Sequence, residues 1–188
     1  MSDDRALVEA ALANAPGAFE RLIRQHQRLC WHIIYRIVRH REDAEDLCQE
    51  TFLRVHRYLH QYRFESALNT WVGRIAYAVA LRYMERRRIP LVNDAEDAAD
   101  VSLVENVGDG VDIEAVSINT DIVGHVYEAL DGLPPLQRTL MTLYHVEGLS
   151  LADISRITGL ADGTIKSHLF RARLRLRAVL NALLGESR

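Results

Sequence analysis

Between Ile89 and Gln137 the chain carries eleven acidic residues and neither lysine nor arginine, a local charge of −11 within 188 residues whose formal net charge is −3. Residues 1–88 hold 15 arginines against 11 acids, and residues 138–188 hold 8 basic residues against 4 acids, so each flank stands at +4. Residues 90–120 are rich in Ala, Asp and Val, are broken by Gly108-Asp109-Gly110, and show no clear periodicity. A segment of that charge gains little from joining a core. The sequence therefore reads as two mildly basic blocks joined by an acidic flexible linker, which about 30 extended residues would let reach roughly 100 Å.

Both blocks have helical spacing, and strict alternation is lacking. The expected elements are a short helix from Asp3 or Asp4 to before Pro16, and a second from about Pro16 to Val38 with Phe19, Leu22, Ile23, Leu29, Ile33, Ile34 and Ile37 on one stripe. A third spans "REDAEDLCQETFLRVHRYL", with Leu47, Phe52, Val55 and Leu59 apolar and acids in its first turns, where the helix dipole favours them. "HQYRFESAL" reads as a loop, and a fourth helix runs from about Asn69 to Arg88 before Pro90. Beyond the linker, "DIVGHVYEALDGL" is expected to be helical. "PPLQRTLMTLYHVEG" follows as a helix with proline near its start and Gly148 beyond its end. "SLADISRI" has Ser150 as N-cap with Asp153 three residues on. "TGLADG" is a turn, and "TIKSHLFRARLRLRAVLNALL" is the last helix.

Several function classes drop out. No stretch approaches 18 apolar residues free of charge, so no membrane insertion is expected. The acidic N-terminus lacks a signal-peptide core. Cys30 and Cys48 stand eighteen apart and suggest neither a disulfide framework nor a zinc motif, which fits reduced thiols in a cytoplasmic protein. His56 and His60 have a metal-compatible spacing but no third ligand, so a helix-end surface pair is expected and no metal or other cofactor. No nucleophile–base motif, phosphate loop or HExxH appears; no catalytic residue is assigned, and the chain is not expected to be an enzyme.

A short capped helix, a Gly-containing turn and a basic helix are the parts of a helix-turn-helix. The stretch 163–177 holds five basic residues, including the only lysine. At about 100° per residue, Ile165, Leu169, Ala172 and Leu176 fall within roughly 40° of each other and form a core-facing stripe. Lys166, Ser167, Phe170 and Arg171 face the other way in the first turns, where a recognition helix meets base edges. Thr164 and Arg173 are placed with them as DNA-binding residues, while Arg175 and Arg177 lie further along. In the N-terminal block, Asp43, Glu45, Asp46, Gln49 and Glu50 crowd two turns, and Asp46, Gln49 and Glu50 share a face that would suit a basic protein partner.

The order "DAEDLCQETFLRVHRYL", "TWVGRIAYAVALRYMERRR" and "LPPLQRTLMTLYHVEGLSLADISRITGLADGTIKSHLFRARLRL" resembles the extracytoplasmic-function sigma factors of bacteria, over roughly residues 15–90 and 120–184. The resemblance implies an all-α fold of two helical domains: a sigma region 2 bundle (1–89) and a sigma region 4 helix-turn-helix (121–188), joined by the acidic linker (90–120). It implies that Asp43, Glu45, Asp46, Gln49 and Glu50 dock on the clamp helices of the largest subunit of core RNA polymerase. It implies that the loop and following helix read the −10 element of promoter DNA. There Tyr62, Arg63, Phe64, Glu65 and Asn69 would hold a flipped base by stacking and hydrogen bonding, chemistry that suits an unstacked base. Trp71 is expected in the core. Arg74, Arg82, Arg86, Arg87 and Arg88 would contact phosphates, and region 4 would read the −35 element as duplex. The acidic linker would lie in basic polymerase channels, and a cognate anti-sigma factor is implied as a further partner.

The sequence departs from the family pattern at Ala78, where Asn is usual, at Arg82, where an acid is usual, at Ser155, usually Ala, and at His168, commonly Arg. The alternative readings are a helix-turn-helix regulator that does not act as a polymerase subunit, and an interaction scaffold.

Overall fold

A computed structural model describes residues 2–87 and 129–185. The linker expected at 90–120, Arg88, and most of the helix expected over 121–133 lie outside the described residues.

Every regular element among the described residues is helical. The first body comprises α1 (Ser2–Leu12), α2 (Ala18–Val38), α3 (Arg41–Tyr58), a 3₁₀ turn (Leu59–Gln61) and α4 (Leu68–Arg86). Its helices α2, α3 and α4 pack on one another, and α1 lies along α2. In α2 the apolar positions recur at helical spacing, so Leu22, Leu29, Ile33, Ile34 and Ile37 are buried while Arg21, Arg24, Gln25, Gln27 and Arg28 face outward; Arg36 is buried with the stripe. The stripe meets Ala44, Leu47 and Val55 of α3 and Leu68, Val72, Ala76, Val79 and Ala80 of α4, all buried. Small residues along α4 let it lie close to its neighbours.

The second body comprises α5 (Pro135–Met141), α6 (Leu151–Thr158) and α7 (Asp162–Gly185), preceded by a helical turn at 129–131. Pro135 opens α5, where its missing N–H costs nothing. The helix expected to run on through the tyrosine and histidine instead changes to a π-helical turn over Thr142–Val146, with Glu147 N–H bonded to the Thr142 carbonyl at 3.0 Å. Its core is Leu133, Leu140, Met141, Leu143, Ile154, Ile157, Ile165 and Leu169. The last helix starts at Asp162, two residues before the expected Thr164, because Asp162 and Gly163 join its first turn.

The two bodies touch along α2 with α5, and α4 with α6.

Candidate nucleic-acid interface

The helix-turn-helix is assembled from local bonds. The Ser150 hydroxyl oxygen accepts the Asp153 N–H at 3.2 Å and donates to Asp153 Oδ2 at 2.6 Å, which starts α6. Gly159 ends it at φ +76°, a left-handed conformation that glycine adopts without a Cβ penalty, and donates its N–H to the Ser155 carbonyl at 2.8 Å. Ser155, where the family pattern has Ala, donates its hydroxyl to the Leu160 carbonyl at 2.7 Å and so closes the turn. Helix α7 then leaves with Ile165, Leu169, Ala172 and Leu176 all buried, the stripe that the sequence spacing predicts.

With that stripe fixed, Thr164 and Lys166 are exposed, and Ser167, Phe170 and Arg171 are half-buried on the remaining surface. The Ser167 hydroxyl donates to the Gly163 carbonyl at 2.9 Å and keeps lone pairs for a further donor. Arg173 is different. Its Nε lies 3.4 Å from His145 Nε2, and its guanidinium stands 5.7 Å from the Tyr144 ring centre. It braces α7 on the π-helical turn. At about 80° from Ile165 it sits beside the core stripe rather than opposite it. Arg175 is likewise engaged, donating to Gln137 Oε1 at 3.1 Å. His168, another departure, is half-buried.

The loop between α3 and α4 is built on aromatic contacts. Tyr62 is only 8% exposed, its hydroxyl donates to the Ser66 carbonyl at 2.6 Å, and its ring lies 4.7 Å from Phe64 and 5.4 Å from Trp71. Burial raises its phenol above the ordinary tyrosine range. Tyr62 therefore packs beneath the loop; alternation of apolar residues through a loop does not reveal which ring turns inward. Phe64 takes φ +60°, rare for an aromatic residue, beneath the Arg5 guanidinium at 4.9 Å. The sequence did not mark Arg5; it reaches the site because α1 folds back over α2. Arg63 and Glu65 are exposed, as are Arg74, Ala78, Arg82, Arg86 and Arg87 on α4, while Trp71 is half-buried against the core. Asn69 accepts the Thr70 N–H on Oδ1 at 2.7 Å, satisfying one of the unpaired donors at the start of α4.

On α3, Asp46 and Gln49 are exposed, Glu45 is exposed beside Arg41 at 3.0 Å, and Glu50 pairs with Arg54. Asp43 instead turns inward. Its Oδ2 accepts from the Tyr83 hydroxyl and lies 3.1 Å from His40 Nδ1 and 3.4 Å from Arg87 Nη1. Burial first, then this carboxylate, raise the Tyr83 phenol. Asp43 thus clamps α3 to the end of α4. Leu53 was not singled out by the sequence. It is 72% exposed and continues the Asp46, Gln49, Glu50 face by one helical turn. His56, half of the histidine pair, packs edge-on against Phe19 at 4.8 Å.

Comparison with known proteins agrees with this arrangement. The family model for Sigma-70 region 2 matches residues 22–89, and that for Sigma-70, region 4 matches residues 125–176. The RNA polymerase sigma-H factor of Pseudomonas aeruginosa is 33% identical over 98% of this chain and 97% of its own length. The ECF RNA polymerase sigma-E factor of Haemophilus influenzae is 34% identical over 90% of this chain and 91% of its own. Two solved structures share the fold. The sigma factor RpoE in complex with the anti-sigma factor NepR from Bartonella quintana has a TM-score of 0.64 at 24% identity, covering 88% of this chain and 98% of that one. CnrH in complex with the cytosolic domain of CnrY has a TM-score of 0.65 at 19% identity, covering 95% and 97%. A bundle with an acidic outward helix, a helix-turn-helix with its basic face outward, and relatives aligned over nearly the full length together establish that the chain belongs to the extracytoplasmic-function RNA polymerase sigma factors of the sigma-70 family.

Proposed function

We propose that this chain divides the work of promoter recognition between residues 1–89, acting as region 2, and residues 121–188, acting as region 4, with residues 90–120 between them. The α3 face of Glu45, Asp46, Gln49 and Glu50 docks on the clamp helices of core RNA polymerase, with Leu53 as its apolar anchor. Arg63, Phe64, Glu65 and Asn69 read the opened −10 strand on the platform that Tyr62 braces, and Arg74 and Arg82 contact its phosphates. Thr164, Lys166, Ser167, Phe170 and Arg171 read the −35 duplex, where a lysine or arginine can take guanine, a serine can donate or accept, and a phenyl ring can meet a thymine methyl.

The observation that carries this reading is the division of α7. Its core stripe is fully buried while Lys166 and its neighbours on the other side stay accessible. Such a helix is held rigidly and still presents its first turns to a groove.

As a sigma factor the protein is a regulatory polymerase subunit; on our reading it carries no catalytic activity of its own and works in the cytoplasm. No helix among the described residues is long and apolar enough to cross a membrane. The fold-sharing structures include an anti-sigma complex, and we take a cognate anti-sigma factor as this chain's partner as well.

Run-off transcription tests the reading. Core polymerase plus this chain should give a product starting at a defined promoter, without another sigma factor. A helix-turn-helix regulator would need one, and a scaffold would show no salt-sensitive promoter binding.

A further inference from the structure

Helix α1 folds over the loop that joins α3 to α4, and its single basic residue lands on that loop. Leu7, Val8 and Ala11 are buried and seat α1 on the bundle. At about 100° per residue Arg5 falls beside that stripe, roughly 60° from Val8. Its guanidinium carbon lies over the Phe64 ring, 4.9 Å from the ring centre. Glu9, four residues on, stands 4.0 Å from Arg5 Nε with both side chains largely exposed, and such a pair holds an arginine only loosely.

Phe64 is presented rather than packed away. The Tyr62 hydroxyl closes the loop on the Ser66 carbonyl at 2.6 Å, which leaves Phe64 half-buried at the tip. Tyr62 leans on the Phe64 ring with centres 4.7 Å apart and planes at 53°, and is itself backed by Trp71. The Phe64 backbone stands at φ +60°, a costly conformation for an aromatic residue. Such residues persist where the surrounding fold over-determines them, and they cluster at binding sites. A half-exposed ring is a stacking surface for an unpaired base, and here a guanidinium lies on it.

Two features fit Arg5 to an anionic ligand. Its present contacts are exchangeable, since a guanidinium takes a phosphate through two parallel charge-assisted hydrogen bonds. The rest of α1 is acidic: Asp3, Asp4 and Glu9 accompany Arg5, and Asp4 is near enough to Tyr62 to add to the rise of its phenol. Without Arg5, this end of α1 would set carboxylates against any polyanion entering the loop.

We propose that Arg5 is a DNA-contacting residue of the −10 site: in the free chain it covers the Phe64 ring, and when the opened strand enters it yields the ring to the unstacked base and takes the phosphate beside that base. Base and guanidinium compete for one ring, and the phosphate that travels with the base gives the guanidinium its new partner. The proposal rests on the reading above of this loop as the pocket for that base.

Holoenzyme assembled from core polymerase and the full chain tests it. The probe is a premelted promoter fragment with an unpaired non-template −10 stretch, taken from a promoter that run-off transcription has defined. Fluorescence anisotropy over a salt series gives affinity and salt slope. Arg5→Ala should weaken binding about fivefold, one charge-assisted contact less the ring contact given up. It should also reduce the salt slope by about 0.7, the share of one phosphate on a single strand. Arg5→Lys should keep the slope and recover part of the affinity, because an ammonium lacks the planar fork. A merely structural Arg5 would lower the melting temperature on substitution and leave the slope alone. That result overturns the proposal, as does an Arg5→Ala holoenzyme with wild-type affinity and slope. Single methylphosphonates placed in turn along the unpaired strand locate the phosphate. At one position the neutral linkage should weaken wild type and cost Arg5→Ala nothing further; equal losses in both chains at every position overturn the contact. Phe64→Ala separates the two ways of failing. If its holoenzyme binds the fragment like wild type, the loop is not the base pocket and the Arg5 contact falls with that reading. If Phe64→Ala weakens binding and Arg5→Ala does not, the pocket stands and Arg5 lies outside it.

Discussion

The Ser155 hydroxyl donates to the Leu160 carbonyl at 2.7 Å, bonding the first helix of the helix-turn-helix to the turn that launches the second. The bond fixes where α7 leaves the domain. Ser155→Ala removes it, at a cost of about 1 kcal/mol. Alanine's better helix propensity returns roughly 0.5 kcal/mol, so the net loss is small. The expected result is a melting temperature lower by about 1–3 °C, on the scale usual for a domain of this size. Differential scanning calorimetry of the two chains checks this; a higher melting temperature for the variant would mean the hydroxyl bond contributes nothing.

Adjacent residues on α7 should behave in opposite ways. Ile165 is fully buried and Lys166 is exposed. Ile165→Ala leaves a cavity and should cost about 2–5 kcal/mol. Lys166→Ala should change stability by no more than about 0.5 kcal/mol. It should weaken −35 binding and, if the lysine meets a phosphate, reduce the salt slope by about 1. Urea titrations and salt-dependent binding isotherms separate the two effects. A Lys166→Ala chain with unchanged affinity at every salt concentration would remove the residue from the interface.

The acidic helix offers a similar contrast within three residues. Asp43 is taken up by Tyr83, His40 and Arg87, whereas Asp46 is exposed. Asp46→Lys should abolish most core-polymerase binding with little change in melting, while Asp43→Ala should lower the melting temperature by releasing α3 from the end of α4. Native gel shift with core polymerase and thermal melts read both. Equal polymerase affinity for Asp46→Lys and wild type would place the docking face elsewhere.

These contrasts show what periodicity can and cannot convey. The stripe of Ile165, Leu169, Ala172 and Leu176 was legible because burial along one helix follows from 100° steps. So was the Ser150 cap, which depends on residues three apart. Asp43 and Arg173 were not. Each lies on the border of its helix's outward face, and contacts from a distant element, α4 or the π-helical turn, decide which way the side chain goes. The burial of Tyr62 was hidden for the same reason, since its neighbours Trp71 and Ser66 are set by how the loop closes. The two cysteines, eighteen residues apart, also meet only through packing. Cys48 and burial push the Cys30 thiol up, while the bond from Cys30 draws Cys48 down. The π-helical turn had no signature in spacing, and with it the delivery of Glu147 to Arg28 and His32 stayed hidden.

His26 gives the chain a built-in acid sensitivity. It is buried on α2 beside a cavity that Arg28, Asn69 and Glu147 also line, and its Nε2 has no hydrogen-bond partner among the described residues. Burial lowers its pKa below the ordinary value of 6.5, and Asp4 offsets this only in part. The unfolded chain therefore binds a proton here at a pH where the folded chain does not. By linkage, stability rises with pH across that window and is lost as pH falls below about 6.5. His26→Gln cannot take up the proton, whereas every other titrating group is present in both chains. Between about pH 6.5 and 5 the melting temperature of His26→Gln should therefore fall less steeply than that of wild type, although the variant starts lower at pH 7.5 through imperfect packing. Melting curves at half-unit pH steps measure the difference in slope. Parallel curves would show that His26 titrates alike in the folded and unfolded chains, and the burial argument would fail.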